Sequence, residues 1–545
     1  MIIYTHYNEA YMEHDMKKLP VGIQTFRKII EEDCVYIDKT RHIYSLIKDL
    51  NCCFLSRPRR FGKSLLLDTI GEVFGGDKEL FKGLWIYYTD YEFIKYPVIR
   101  LDMSNIDNES PDTFRESLMS YLKMCYGKDG LIIQDKNPAD AFRHLIYELH
   151  EKYDQKVVVL IDEYDKPILD HMDDYDVADA NRNLIRRFYG ILKSMDQYLR
   201  FTMFTGVSKF TKTSVFSELN NLTDISMHED YADICGIPID SLEEHFGEHI
   251  EDLKTVDRFS RYESISDEIL AWYDGYSWNG ETKLLNPFGL LSFFFARAFK
   301  SFWYSTGTPT FLIEMLKNKP ESFLELKNYR ITEAMMDNFD IKTMEIEPLL
   351  FQTGYLTVTE VIYTMDSPVY VVDIPNYEVR IAFNRQVLAA FTSNGDVRTD
   401  NMSIRVREAL DEGNLEGMLE ILRGFFASIP YELHMRAEAY YNSIFYSFMT
   451  LLGYDIQTEV STSRGRVDAI LELKDKVYVM EFKYEDCPND ASADEKRKLF
   501  DKALAEAMKQ IDEKGYADRY RGSGKTIVKA GFAFLGRDEI DMCTA

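Results

Sequence analysis

Two apolar runs, Cys52-Cys-Phe-Leu55 and Val157-Val-Val-Leu-Ile161, constrain this chain more than any other feature, because each ends in chemistry. The first enters Ser56-Arg-Pro-Arg-Arg-Phe-Gly-Lys-Ser64 and then an apolar helix face, Leu65-Leu-Leu67 with Ile70 and Val73. The second stops at adjacent acids, Asp162 and Glu163. Such continuous apolar runs predict strands covered on both faces, hence a parallel sheet between helices. A strand, a short loop and a helix N-terminus in that order form a phosphate cradle: backbone N–H groups face the anion, a lysine neutralises it and a hydroxyl reaches Mg²⁺. Gly62 supplies the close approach, Lys63 the charge and Ser64 the hydroxyl. The loop departs from G-x-x-x-x-G-K-[ST], since Arg57 stands at the first glycine position. With Arg59, Arg60 and Phe61 it is expected among the nucleotide contacts.

A carboxylate at the tip of the second strand suits the metal end of the same chemistry. Asp162 is expected to hold Mg²⁺ through its water shell and Glu163 to polarise the attacking water. A third run, Arg200-Phe-Thr-Met-Phe-Thr205, precedes Gly206-Val-Ser-Lys-Phe210. If it lies between the other two, Thr205 can sense the γ-phosphate, with Ser208 and Lys209 behind it; an ordinary strand end is the alternative.

Lys18-Leu-Pro-Val-Gly22, Tyr36-Ile-Asp-Lys-Thr40, the Ser56–Ser64 loop, Asp162-Glu-Tyr-Asp-Lys-Pro167, Thr205-Gly-Val-Ser-Lys-Phe210 and Asn220-Asn-Leu-Thr-Asp224 together resemble the AAA-ATPase-like family of bacterial proteins, over roughly residues 18 to 320. The resemblance implies ATP as ligand, a RecA/AAA-type core and a helical lid, and makes the arginine-rich loop a family trait.

Near the C-terminus, Gly465-Arg-Val-Asp-Ala-Ile-Leu-Glu-Leu473 and Lys476-Val-Tyr-Val-Met-Glu-Phe-Lys-Tyr484 read as a hairpin turning at Lys474-Asp475. Alternation puts Val477, Val479, Glu481 and Lys483 on one face, so two charges extend an apolar surface. That is costly unless they pair or bind metal. Asp468 and Glu481 can share a divalent ion, with Lys483 steadying a water or phosphate charge, as phosphodiester hydrolysis requires. Upstream, residues 431 to 454 read as a helix whose Tyr441, Phe445, Phe448 and Leu452 stripe is continued by Glu438; downstream, a helix over 498 to 514 carries Gln510 before Ile511 and Tyr516.

In this order these features resemble the PD-(D/E)XK nuclease superfamily over about residues 425 to 540. The resemblance makes Asp468 and Glu481 metal ligands, Lys483 the catalytic lysine, and Glu438 and Gln510 supporting residues. Mg²⁺, or Mn²⁺ in its place, is the implied ion.

The fold class that follows is α/β. A polar leader (1–17) precedes a P-loop core (18–230), a helical lid (231–330), an α+β winged-helix-like connector (331–425) and a restriction-endonuclease-like α/β domain (426–545). The chain has 545 residues, 46% of them apolar, enough for several cores. No apolar stretch approaches the ~20 residues that span a bilayer, and a cytoplasmic protein with reduced thiols is expected. Net charge is −27, which opposes non-specific binding to polyanions and leaves any nucleic-acid contact to local basic patches. ATP and nucleic acid, DNA before RNA, are the expected partners, and a homo-oligomer is open. A nuclease gated by ATP is the leading reading; a nucleotide switch that binds without cutting is the alternative.

Overall fold

The computed structural model describes the chain except residues 1–15, 210–214, 217–218, 220, 304–328, 338–345, 366, 393–404, 407, 411, 428–440, 442–443, 447–448, 450–455, 463–464, 474, 489–490, 523 and 537–538. Glu438, Phe448, Leu452, the turn residue Lys474 and most of the polar leader lie outside the described residues. The chain divides into two compact units, Met1–Lys300 and Ser301–Ala545. The division falls inside the segment expected to form the lid.

In the first unit five parallel strands form one sheet: β1 (Cys52–Ser56), β2 (Val98–Asp102), β3 (Val157–Asp162), β4 (Leu199–Gly206) and β5 (Thr223–Asp224), in the order β2-β3-β4-β1-β5. β1 is buried throughout and β3 up to its last residue, as the unbroken apolar runs require. Helices Lys63–Gly75, Pro111–Lys128, Pro138–Tyr153 and Tyr175–Ser194 make the crossovers. Three of them start cleanly because Ser110, Asn137 and Asp174 accept a bond from a first-turn N–H. β4 lies between β1 and β3, with Leu55 opposite Thr205 and Ile161 opposite Phe204. The ends of β1, β4 and β3 therefore bring Ser56, Thr205 and Asp162 to one sheet edge.

Residues beyond the sheet form helices Ser241–Lys254, Ile265–Tyr273 and Pro287–Ala296 and a small ladder of β6 (Ile237–Pro238) with β7 (Leu284–Leu285). Trp278 is buried against Phe61, with ring centroids 5.0 Å apart, and Trp272 stacks on Phe299.

The second unit opens with a three-stranded antiparallel sheet, β8 (Tyr329–Thr332), β9 (Thr357–Tyr363) and β10 (Pro368–Asp373), ordered β8-β10-β9, with helices Glu333–Asp337 and Ile346–Thr353 before the β9–β10 hairpin. At the start of the next helix, Tyr377–Thr392, the buried Glu378 accepts the N–H groups of Phe302 (2.6 Å) and Trp303 (2.7 Å) on one oxygen. Its other oxygen is buried without a partner, and burial pushes the carboxyl up to about 7.

The C-terminal sheet is mixed: β11 (Ile456–Thr462), β12 (Gly465–Glu472), β13 (Lys476–Glu485), β14 (Thr526–Leu535) and β15 (Glu539–Thr544) in sequential order. Only β13 and β14 are parallel, because the helix Ala493–Lys514 crosses between them. Its Ile511 packs on Val477 and Val479, while Phe482 and Phe532 meet Phe445 on the opposite face. The sheet is covered on both sides, and Glu481 and Lys483 share the Val477–Val479 side.

Candidate functional site

At the phosphate-cradle end, Gly62 sits at φ +95° and opens the helix Lys63–Gly75; a side chain there would be strained. Lys63 follows it, and Ser64 stands beside it in the first turn. Lys63 is buried, and its Nζ donates to the carbonyls of Arg57 (2.8 Å) and Pro58 (2.9 Å). Burial lowers the ammonium pKa, against the pull of Asp162, Glu163 and Asp165. Asp162 accepts from the Thr205 hydroxyl (2.6 Å) and from the N–H of Glu163 (3.0 Å). Glu163 takes a left-handed backbone, φ +49°, that turns the chain sharply off β3. Its carboxyl is raised by burial and held back by Lys63. The structure thus brings Lys63, Asp162, Glu163 and Thr205 together.

Two loop residues expected to meet nucleotide are placed otherwise. Arg57 is fully buried, its guanidinium donating to the carbonyls of Ser56 (2.9 Å), Ser226 (2.8 Å), Tyr231 (3.1 Å) and Ala232 (3.4 Å) and lying 4.0 Å from the Trp278 ring. Burial lowers its pKa to about 10. It is a strut that replaces a flexible glycine, tying the loop to residues 226–278. Phe61 is buried between Tyr276 and Trp278, and a Cβ on Gly236 would come within 2.5 Å of its ring. Arg60 is exposed, with its guanidinium 4.3 Å from the Phe288 ring. Arg59 is half-buried on the loop.

A residue given no role above is Asp165. Completely buried, it accepts from the N–H groups of Val207 (3.0 Å) and Ser208 (2.7 Å) and from the Ser208 hydroxyl (2.6 Å), fixing the exit of β4 just after Thr205. The signal was its place as the third acid of Asp162-Glu-Tyr-Asp165. Lys209 is likewise engaged, 2.9 Å from Asp224.

At the second constellation Asp468 accepts the N–H of Phe482 (2.8 Å), which brings the β12 acid beside Glu481. Glu481 is fully buried. One of its oxygens lies 3.1 Å from Lys483 Nζ, which also donates to the Phe482 carbonyl (2.9 Å). The other oxygen is buried without a partner. Burial first, and the neighbouring Asp468 second, push the Glu481 carboxyl up to about 7. Gln510 bonds the hydroxyl of Tyr516, which lies close enough to feel the charges of Glu481 and Asp468. Among the described residues no group of three His, Cys, Asp or Glu forms a ready metal cage. The unpartnered Glu481 oxygen beside a second hard carboxylate nevertheless fits a divalent ion.

A parallel sheet with a lysine-bearing loop and an acid-tipped strand, followed by a mixed sheet carrying Asp and Glu-x-Lys, defines a P-loop ATPase-type fold with a nuclease-type fold after it. Residues 20–216 match the family model described as predicted AAA-ATPase, and residues 436–541 match that of the PD-(D/E)XK nuclease superfamily. The chain is also 36% identical over 524 residues to the "Uncharacterized protein in vnfD 5′ region" of Azotobacter chroococcum mcd 1, covering 95% of this chain and 96% of that protein. The chain belongs to the AAA-ATPase-like family and carries a C-terminal PD-(D/E)XK nuclease superfamily domain. No helix among the described residues is long and apolar enough to cross a membrane.

Proposed function

We propose that this protein binds and hydrolyses ATP in its first unit and that the nucleotide state licenses a Mg²⁺-dependent phosphodiesterase in its second, acting on nucleic acid, DNA before RNA, in the cytoplasm. The observation that carries the nuclease half is the buried, unpartnered oxygen of Glu481 beside Asp468 and Lys483. A divalent ion there would supply Lewis-acid stabilisation of the phosphate and an acidified water. Asp468 and Glu481 would hold it, and Lys483 would neutralise charge building on the phosphate. On the ATPase side Lys63 and the N–H groups after Gly62 bind the phosphates and Ser64 and Asp162 hold Mg²⁺. Glu163 orients the water, and Thr205, bonded to Asp162, reports the γ-phosphate.

The test is cleavage of labelled single- and double-stranded DNA and RNA with Mg²⁺ or Mn²⁺, with and without ATP. Parent protein is compared with Asp468→Asn and Lys63→Ala. Cutting that requires ATP and fails in both variants supports the proposal; Asp468→Asn cutting as well as the parent refutes the nuclease assignment. The net charge of −27 favours a second reading, a nucleotide-controlled interaction switch that does not cut. ATP hydrolysis without cleavage of any of these substrates would favour it.

A further inference from the structure

We infer that Arg59 is a catalytic residue of ATP hydrolysis, stabilising the transferring γ-phosphoryl group from within the same chain. The inference rests on the ATPase reading above. The loop carries three arginines, and the structure gives them three different surroundings. Arg57 is locked into backbone carbonyls and the Trp278 face, with no part exposed. Arg60 adopts φ +66°, which turns it outward onto Phe288. Arg59 lies between them. Lys63 Nζ is 2.9 Å from the Pro58 carbonyl oxygen, and the fixed geometry of the next peptide then puts the Arg59 Cα within about 6 Å of that amine. An arginine side chain starting there is long enough to reach a phosphate held by Lys63. Its charge already acts on Glu163, in the same sense as that of Lys63. Lys63 and Arg59 thus both act on the carboxylate proposed to orient the water.

In the hydrolytic step the water oxygen bonds to the γ-phosphorus while its proton passes to Glu163. The bond from phosphorus to the β,γ-bridging oxygen breaks, and its electron pair leaves on the β-phosphate of ADP. Negative charge grows on the bridging and γ-oxygens during this exchange, and the planar fork of Arg59 can donate to two of them. An arginine supplied in cis removes the need for one from a neighbouring subunit.

The test uses the full chain. Steady-state ATP hydrolysis is measured over a dilution series for the parent, Arg59→Ala and Arg59→Lys, beside equilibrium binding of a fluorescent ATP analogue and thermal melting of each variant. Arg59→Ala should lose on the order of 10³-fold in kcat, the scale of a stabilising arginine, while its affinity for the analogue changes by less than about tenfold. Arg59→Lys should recover part of the rate, and the parent's rate per chain should not depend on dilution. Arg59→Ala hydrolysing within a few-fold of the parent would overturn the inference, as would an affinity loss as large as its rate loss. A parent that hydrolyses no ATP would overturn both this inference and the ATPase reading, whereas an active parent with an unaffected Arg59→Ala would sink this inference alone.

Discussion

Replacing Arg57 by glycine, the residue that the phosphate-loop pattern places there, separates a strut from a degenerate phosphate contact. If Arg57 were a contact, the nucleotide-free protein would be indifferent to the change and only ATP affinity would move. The structure predicts the reverse. Removing the guanidinium strips donors from the buried carbonyls of Ser226 and Tyr231 and weakens that of Ser56, at about 1–2 kcal/mol each for a charged donor. The stacking on Trp278 at 4.0 Å adds about 2 kcal/mol in a desolvated setting. Against this, the fall of the arginine pKa from 12.5 to about 10 means that burying the charge itself costs about 3 kcal/mol, which the variant recovers. The net is about 3 kcal/mol of destabilisation, and a glycine there adds backbone entropy of up to about 1 kcal/mol. Arg57→Met, which keeps the aliphatic stem, isolates the first figure; Arg57→Lys should fall between Arg57→Met and the parent because one ammonium cannot reach all the carbonyls. Calorimetric melting without nucleotide should show the first unit's transition lowered by roughly 5 °C for Arg57→Met. An unchanged transition, or an Arg57→Gly variant that binds ATP more tightly than the parent, would refute the strut.

Two further substitutions test how the sites are held. A Cβ at Gly206 would lie 2.5 Å from the Tyr164 ring and 2.6 Å from Asp165 Oδ1, both fully enclosed, so Gly206→Ala should cost about 2 kcal/mol and slow ATP hydrolysis by displacing Thr205 from Asp162; normal melting and turnover would show that the contact yields freely. Glu378 has its carboxyl at about 7 against 4.5 unfolded, so the folded state binds the extra proton between those values and stability falls as pH rises through them. Glu378→Gln keeps an acceptor for Phe302 and Trp303 without the charge and should stabilise the second unit by up to about 3 kcal/mol at pH 8 and by almost nothing at pH 4, read from melts at both; equal effects at the two pH values would contradict the buried-charge account.

What the sequence makes legible is local. Apolar runs that end in Arg-Pro-Arg-Arg-Phe-Gly-Lys-Ser or Asp-Glu declare buried strands, and the alternation from Val477 to Lys483 assigns faces before any tertiary contact is known. The order β2-β3-β4-β1-β5 then sets Thr205 beside Asp162. Arg57 and Phe61 were illegible because their partners, at Ser226, Tyr231, Gly236, Tyr276 and Trp278, are remote in the chain, and a loop arginine beside a lysine reads as a phosphate ligand until its desolvation is seen. Glu378 was missed for the same reason: nothing near it in sequence marks it as the acceptor for Phe302 and Trp303.

The two sites repeat one electrostatic arrangement on unrelated sheets. In each, a glutamate is raised by burial, an aspartate stands next to it, and a lysine offsets the pair incompletely: Glu163 with Asp162 and Lys63, Glu481 with Asp468 and Lys483. An acid pair with a desolvated glutamate, facing one ammonium, is short of positive charge, and on the proposed reading a divalent ion would be favoured at either place for the same reason that each glutamate is raised. The difference lies in what holds the lysine. Lys63 is bonded to the loop carbonyls of Arg57 and Pro58, whereas Lys483 is paired with Glu481 and donates to the Phe482 carbonyl. The loop that holds Lys63 is also the one tied by Arg57 to residues 226–278. The contacts of Arg57 with Ser226 and Trp278 therefore tie the loop that holds Lys63 to residues outside the sheet.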